Sequence, residues 1–392
     1  MSLPLAGLKV LDFSTLLPGP YATQLLADMG AEVLRVESPS RPDMLKMVPP
    51  MVGNVSAAHA SINRNKKSIA IDLKHARAKS IIEGLLLEYD IVIEQFRPGV
   101  MTRLGLDYQQ LSETQDKLIY CSITGYGQTG PYKDRAGHDI NYLALSGLAS
   151  YSGRKETGPV LSGTQIGDIA GGSHHAVMAI LAAVIQRGVT GQGQYLDISM
   201  SDAALALNTM FGAGAMVTGQ DPTYGGEILN GGSFYDYYAT SDCRYLSIGS
   251  LEPNFAAGLL KQLGLQDFMS TIADPRPEAQ AAVKKAIADK IISQPMSHWQ
   301  SVFAEIDVCV EPVLTLNEAA TNEHFVERGM ITSAIDKDGN VIKQINSALP
   351  FRKKTHQAGA RLGDDTTAVL TELGYDSDAI EVLRETKCVK LR

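Results

Sequence analysis

Cysteine is scarce: the four in 392 residues, Cys121, Cys243, Cys309 and Cys388, stand far apart with no CxxC pair. That spacing indicates neither a zinc ribbon nor a disulfide scaffold, and a reducing compartment suits it, so a cytoplasmic protein is expected. No stretch approaches the roughly 18 uninterrupted apolar residues of a membrane span. The opening "MSLPLAGLKVLDFS" also lacks a basic region ahead of a long apolar run, so neither a secretory leader nor a membrane partner is expected. Basic residues are in deficit: 35 Lys and Arg against 43 Asp and Glu give a formal charge of −8. This argues against general binding to nucleic acid, although a local basic cluster could still hold a phosphorylated ligand. The chain has no P-loop, GxSxG or HExxH motif, and no metal is expected. His174 and His175, adjacent in a helical stretch, lie about 100° apart around the axis and cannot both face one ion.

What the chain does have is apolar material for a large core, 44% hydrophobic residues over 392, a length that suits two domains. "LKVLDF" reads as a buried strand, and "YATQLLADMG" as a helix with Pro20 in its first turn and Gly30 at its end. "EVLRVES", "KSIAIDLK", the helical "HARAKSIIEGLLLEY", "DIVIEQF", a loop and helical stretch from Arg97 to Gln115, and "KLIYCSITG" continue the alternation. The fold class is therefore α/β, a Rossmann-like parallel sheet with helices on both faces. Helices are expected over 138–152, 167–187 and 201–216, with the strand "QYLDISM" before the last.

The glycine-rich stretch 217–233 is the expected linker to a smaller α+β domain over 234–329. That domain holds a hairpin in "FYDYYATSDCRYLSIGSL", helices near 252–264, 277–293 and 296–306, and the strand "VCVEPVLTL". "MITSAIDKDGNVIKQINS" is a further hairpin turning at Asp338 and Gly339. With helices near 364–373 and 378–386, it completes from 330–392 a large domain otherwise spanning 1–216.

The opening strand, turn and helix invite a dinucleotide reading, with Glu37 placed to meet a ribose, but the turn "STLLPGP" offers one glycine where GxGxxG needs three. Arg35, Arg64, Lys66, Lys67, Arg97 and Arg103 recur near strand ends, either as solvated surface or as a gathering of charge around a nucleotide phosphate. In "AGHDINYLALSG", His138 and Asp139 begin a helix, where either they cap it or they perform chemistry at its unpaired N–H groups. Asp168 in "GTQIGDIAGGS" and Glu252 in "SLEPNF" are further acids at helix starts, each explicable as a cap.

Taken together, "LLPGPYATQLLADMGAEVLRVE", "NRNKKSIAIDLK", "FRPGVMTRLGLDY", "AGHDINYLALSG", "GDIAGGS" and "FYDYYATSDCRYLSIGSLEPNF" resemble the class III coenzyme A transferase superfamily (CaiB/BaiF type). Within it the chain looks most like the α-methylacyl-CoA racemases, over nearly its whole length. The resemblance implies inversion of the α-carbon of a 2-methylacyl-CoA by removal of a proton on one face and return on the other, through an enolate. It places His138 on one face and Asp168 on the other, Glu252 orienting the His138 imidazole, and the Asp139 N–H at the thioester oxygen. A carboxylate with an ordinary pKa of about 3.9 holds a proton poorly near neutrality, so Asp168 must be raised by burial. An imidazole needs little adjustment.

The same resemblance implies coenzyme A as part of the substrate rather than a prosthetic group, contacted by Arg35, Lys67, Arg97 and Arg103 with Leu16 and Pro18 lining the approach. It also implies an interlocked homodimer in which Glu252 crosses to the partner's His138 and Asp168. The acyl chain is expected against "ALALNTMFGAGAM" and the linker. Transfer of coenzyme A between carboxylic acids, with Asp168 as nucleophile, is the competing reading. His138 and Glu252 have no evident task in it, and "EILNGGSF" is shorter than the glycine run such transferases carry. A binding module without catalysis would use the same basic loops but gives no reason for an acid and base pair.

Overall fold

The computed structural model describes residues 2–392. The alternating segments form β1 (Lys9–Asp12), α1 (Pro18–Asp28), β2 (Glu32–Glu37), β3 (Lys67–Ile71), α2 (Ala78–Leu85), β4 (Ile91–Glu94) and β5 (Ile119–Thr124). There follow α3 (Asp139–Leu145), α4 (Gly167–Thr190), β6 (Gln194–Ser199) and α5 (Met200–Ala206). The strands lie in the order β6, β5, β4, β1, β2, β3, all parallel, and a short strand Val389–Lys390 closes the edge antiparallel to β3. That is the doubly wound Rossmann order, whose direction reverses between β1 and β4.

Alternate residues of the same strands serve two cores. Leu11, Leu34, Ile69 and Val92 pack on one face, while Val10, Val33, Ile91 and Ile119 pack on the other. Both faces are covered, which is why these strands read as unbroken apolar runs. α4, 24 residues long, packs on α1, β5 and β6; by length and composition it could cross a membrane.

The first turn is closed without a glycine-rich loop. The buried Asp12 carboxylate accepts the Ser14 N–H at 2.8 Å and the Thr23 hydroxyl at 2.5 Å, and Lys66 Nζ stands 3.6 Å away. Only Gly19 needs to be glycine, because a Cβ there would fall 2.2 Å from Ser14 Cβ.

The chain divides into two compact units. One runs to Ser146 and adds Gly163–Ala206 and Asn322–Arg392, while the other takes Gly147–Ser162 and Leu207–Thr321. The stretch 217–233 thus lies inside the second unit. That unit carries α6 (Thr209–Thr218), β7 (Asp236–Ala239), β8 (Tyr245–Ile248), α7 (Pro253–Leu263), α8 (Pro277–Ile291), α9 (Met296–Phe303) and β9 (Val310–Pro312). Its antiparallel sheet β7–β8–β9 packs with these helices around Leu246, Leu259, Leu260, Ile287 and Trp299.

Several elements differ from expectation. The helix sought over 138–152 stops at Leu145, and Gly147 then turns the chain at φ 84° into a short 3₁₀ turn. The helix sought over 201–216 breaks at Leu207 and Asn208 into α5 and α6. Between β2 and β3 lie a small hairpin, Met51–Val52 with Val55–Ser56, and the helix Ala57–Ile62, where no element was anticipated.

Arg64 and Lys66 are neither solvated surface nor free for a phosphate: both are buried. Arg64 makes a forked pair with Asp28, its Nη2 standing 2.6 Å from Oδ2, and donates to the Ile345 carbonyl at 2.8 Å in the hairpin Ile331–Ile335 with Val341–Ile345. Removing one partner of a buried pair leaves an uncompensated charge. Arg64→Met should therefore cost about 3–5 kcal/mol in denaturant unfolding; a loss below about 1 kcal/mol would show that Asp28 finds another partner.

Candidate active site

Three of the anticipated groups come together in the first unit, around two helix starts. His138 is the N-cap of α3, and its N–H donates to the Asn141 side chain at 3.0 Å. Tyr142, buried one turn on, donates its hydroxyl to the Gly137 carbonyl at 2.7 Å and so fixes the chain entering the helix. The Asp139 side chain turns away from its own helix and accepts the Asp168 N–H at 3.0 Å, so its carboxylate caps the start of α4 rather than of α3. The Asp139 N–H has no acceptor among the described residues.

Asp168 is the second residue of a stretch, Gly167–His174, wound as a π-helix before α4 continues as an ordinary helix. Such wide turns are rare and concentrate at functional sites. Gly172 allows the approach that fixes this turn, since a Cβ there would stand 2.9 Å from Pro18 Cβ and 3.2 Å from Met200. Ser173 locks the contact by donating to the Pro18 carbonyl at 2.7 Å. The first loop and the Asp168 turn are therefore one assembly.

Burial pushes the Asp168 carboxyl up to about 6, with the like charge of Asp139 adding to the rise and His138 opposing it. That is the perturbation which lets a carboxyl both hold and release a proton near neutrality. His138 itself is exposed.

The remaining anticipated residues are dispersed. Leu16 is exposed, at φ 61°, with its N–H toward Asp43 at 3.3 Å, and Pro18 is buried beneath the Asp168 turn. Arg97 and Arg103 are exposed in the connection leaving the carboxyl end of β4, Arg103 on the short helix Val100–Leu104. Arg35 is buried, pairing with Asp43 at 2.9 Å and Glu37 at 3.3 Å and donating to the Ser14 carbonyl, so its charge is already spent on holding the loops. Lys67 begins β3 and reaches Glu32 at the start of β2, on the amino edge of the sheet, opposite to Arg97. Glu37 meets Arg35, Lys46 and Ser68, partners that hold its carboxyl down at about 2.

Glu252 belongs to the second unit, exposed at the N-cap of α7, where its side chain caps nothing. That unit holds a cavity of about 680 Å³ whose lining includes Phe211, from the stretch expected to meet the acyl chain, and Leu229 and Asn230 from 217–233. Among the described residues no three His, Cys, Asp or Glu side chains gather as metal ligands would. Sequence reasoning missed the Asp139 side chain as a partner of Asp168; the one available signal was Gly167, which leaves room for it, 3.1 Å from where a Cβ would stand.

The sequence profile of CoA-transferase family III matches residues 5–366. The chain belongs to this family. It is similar to human alpha-methylacyl-CoA racemase, 32% identical over 397 residues, covering 98% of this chain and 97% of the relative. It is also similar to human succinyl-CoA:glutarate CoA-transferase, 31% identical over 389 residues, covering 96% and 88% respectively. Among solved structures a CAIB/BAIF family protein from Brucella suis superposes with TM-score 0.83 at 28% identity, over 95% of this chain and all of that one. Members of CoA-transferase family III act on coenzyme A thioesters, as racemases or as transferases.

Replacing Asp139 by Asn keeps an acceptor for the Asp168 N–H and removes a like charge. The Asp168 carboxyl, followed by ¹³C NMR, should then titrate below about 6. A titration unchanged or moved upward would show that Asp139 does not act on it.

Proposed function

We propose that the protein is a racemase that inverts the α-carbon of 2-methylacyl-CoA thioesters by proton transfer through an enolate. The supporting observation is the raised Asp168 carboxyl, with His138 acting on it and the Asp139 carboxylate accepting its N–H. One group, as base, takes the α-proton, and the C–H electron pair moves into the enolate with its charge on the thioester oxygen. The other group, as acid, returns a proton to the opposite face. Each ends with the protonation state the other began with, so the two must be interchangeable as acid and base. A carboxyl near 6 beside an imidazole meets that requirement better than an ordinary aspartate would. The free Asp139 N–H at the start of α3 is the donor proposed for the enolate oxygen.

Coenzyme A is proposed to lie along the carboxyl edge of the sheet, contacting Leu16 in the first loop and Arg97 and Arg103 beyond β4, while Pro18, buried under the Asp168 turn, fixes that loop from below. Lys67, on the other edge, is not carried forward, and Arg35 contributes only through the loops it fixes. Glu252 is proposed to orient His138 from the partner chain of an interlocked homodimer. Supporting that assembly, α6 leaves Met210, Met216 and Val217 exposed and α4 leaves Met178, Ile185 and Val189 exposed, apolar side chains that a partner chain would cover. The Phe211 cavity is the proposed seat of the acyl chain, and a cytoplasmic location is retained from the cysteine pattern.

The transferase names carried by several relatives favour a second reading, in which the Asp168 carboxylate attacks the thioester carbonyl. An acyl anhydride forms, the coenzyme A thiolate leaves, and it returns to give an aspartyl-CoA thioester while the acid departs. In D₂O, (2R)-2-methylacyl-CoA with no added acid should exchange its α-proton and lose optical purity. His138→Ala should slow this by about 10²–10⁴-fold. Turnover that requires a second carboxylic acid would establish the transferase, and an unchanged rate in His138→Ala would remove that residue from the chemistry.

A further inference from the structure

A second cavity in the first unit, about 310 Å³, lies beside β4, β5 and β6 and is lined by none of His138, Asp139 and Asp168. Its lining includes Glu94 at the end of β4, Tyr120 and Ser122 on β5, Tyr195 on β6, and Asp107 and Tyr108 on the connection between β4 and β5. Glu94 is 3% exposed, yet among the described residues no cation pairs with it. Its partners are neutral: the Phe96 N–H donates to it at 2.7 Å, and the Ser122 hydroxyl supports it, itself accepting from the Tyr195 hydroxyl at 3.1 Å. A buried carboxylate without a counter-ion is costly, and burial accordingly pushes Glu94 up to about 7, with Asp197 adding to the rise.

The walls around this carboxyl are aromatic. Tyr108 stacks on Tyr195 with centroids 5.5 Å apart, and Tyr120 meets Tyr195 at 5.9 Å. The chain's own cations occupy other rings, Lys9 over Tyr89 and Arg135 over Tyr132. Around Glu94 stand Tyr120 and Cys121 from β5, Tyr195 and Asp197 from β6, and Asp107 and Arg97 from the connecting segment. Asp197 is engaged by the Gln128 N–H and Asp107 by the Gln110 N–H; Glu94 is the most deeply buried of the three acids, and Arg97, exposed, is the one basic residue in the cavity lining. Aromatic faces around an unpaired carboxylate are the arrangement that recognises alkylammonium groups.

We propose that this cavity binds a small organic cation, a quaternary ammonium or protonated amine, with Glu94 as counter-ion and the tyrosine rings as walls. The proposal is independent of the reaction assigned to Asp168. Choline tests it against 3,3-dimethylbutan-1-ol, which has the same shape and no charge, by calorimetric titration of the full chain.

Choline should bind at least about tenfold more tightly than the alcohol, and more tightly near pH 8 than near pH 5.5, because Glu94 ionises through about 7. Glu94→Gln should weaken choline about tenfold and abolish its pH dependence. If that variant does not fold, Tyr108→Leu, at a half-buried position, should weaken choline and leave the alcohol unchanged. Equal binding of choline and the alcohol, or of wild type and Glu94→Gln, would overturn the proposal. So would displacement of choline by free coenzyme A, which would assign the cavity to the thioester's nucleotide through Arg97.

Discussion

The site depends on one close approach: the π-wound start of α4 lies against the loop after β1 because Gly172 offers no side chain to Pro18. Ser173 bonds the two together, and the Asp139 carboxylate receives the Asp168 N–H from the other side. An ordinary residue at position 172 would lift the turn off the loop and with it the carboxyl whose environment makes it useful. The helix start, the loop and α3 therefore move as a unit, and the acidity of Asp168 follows from how tightly that unit closes.

Much of this was legible in the sequence, for reasons that differ by element. The parallel sheet was readable because strands buried on both faces carry continuous apolar runs such as "IVIE" and "IYCSIT". The hairpin around Gly339 was readable because that residue takes φ 87°, a turn signal carried by composition. What could not be read was any interaction between distant residues. Arg35, Arg64 and Lys66 look like surface bases, and only the fold reveals Asp43, Asp28 and Asp12 waiting for them. Likewise Lys67 stands by a strand end, but which edge that end faces is a property of the sheet. His138, Asp139 and Asp168 were found through resemblance, and the geometry adds that the Asp139 side chain serves Asp168.

A raised carboxyl against an apolar turn suits two chemistries. As an acid and base it needs a partner across the substrate; as a nucleophile it needs only access to a carbonyl carbon. Relatives bearing racemase and transferase names are indeed of comparable identity to this chain. In this chain the exposed His138 imidazole is near enough to influence the Asp168 carboxyl electrostatically.

The edge of the main sheet is completed by Val389 and Lys390 pairing with Ile71 and Ala70. Residues 389 and 390 must therefore have left the ribosome before β3 acquires this neighbour, and until then the outer side of that strand presents unpaired backbone. The second unit, contained largely within Leu207–Thr321, has no such wait and can condense while the tail is still being made. The sheet of the first unit thus gains its last strand after the residues of the second unit have been made.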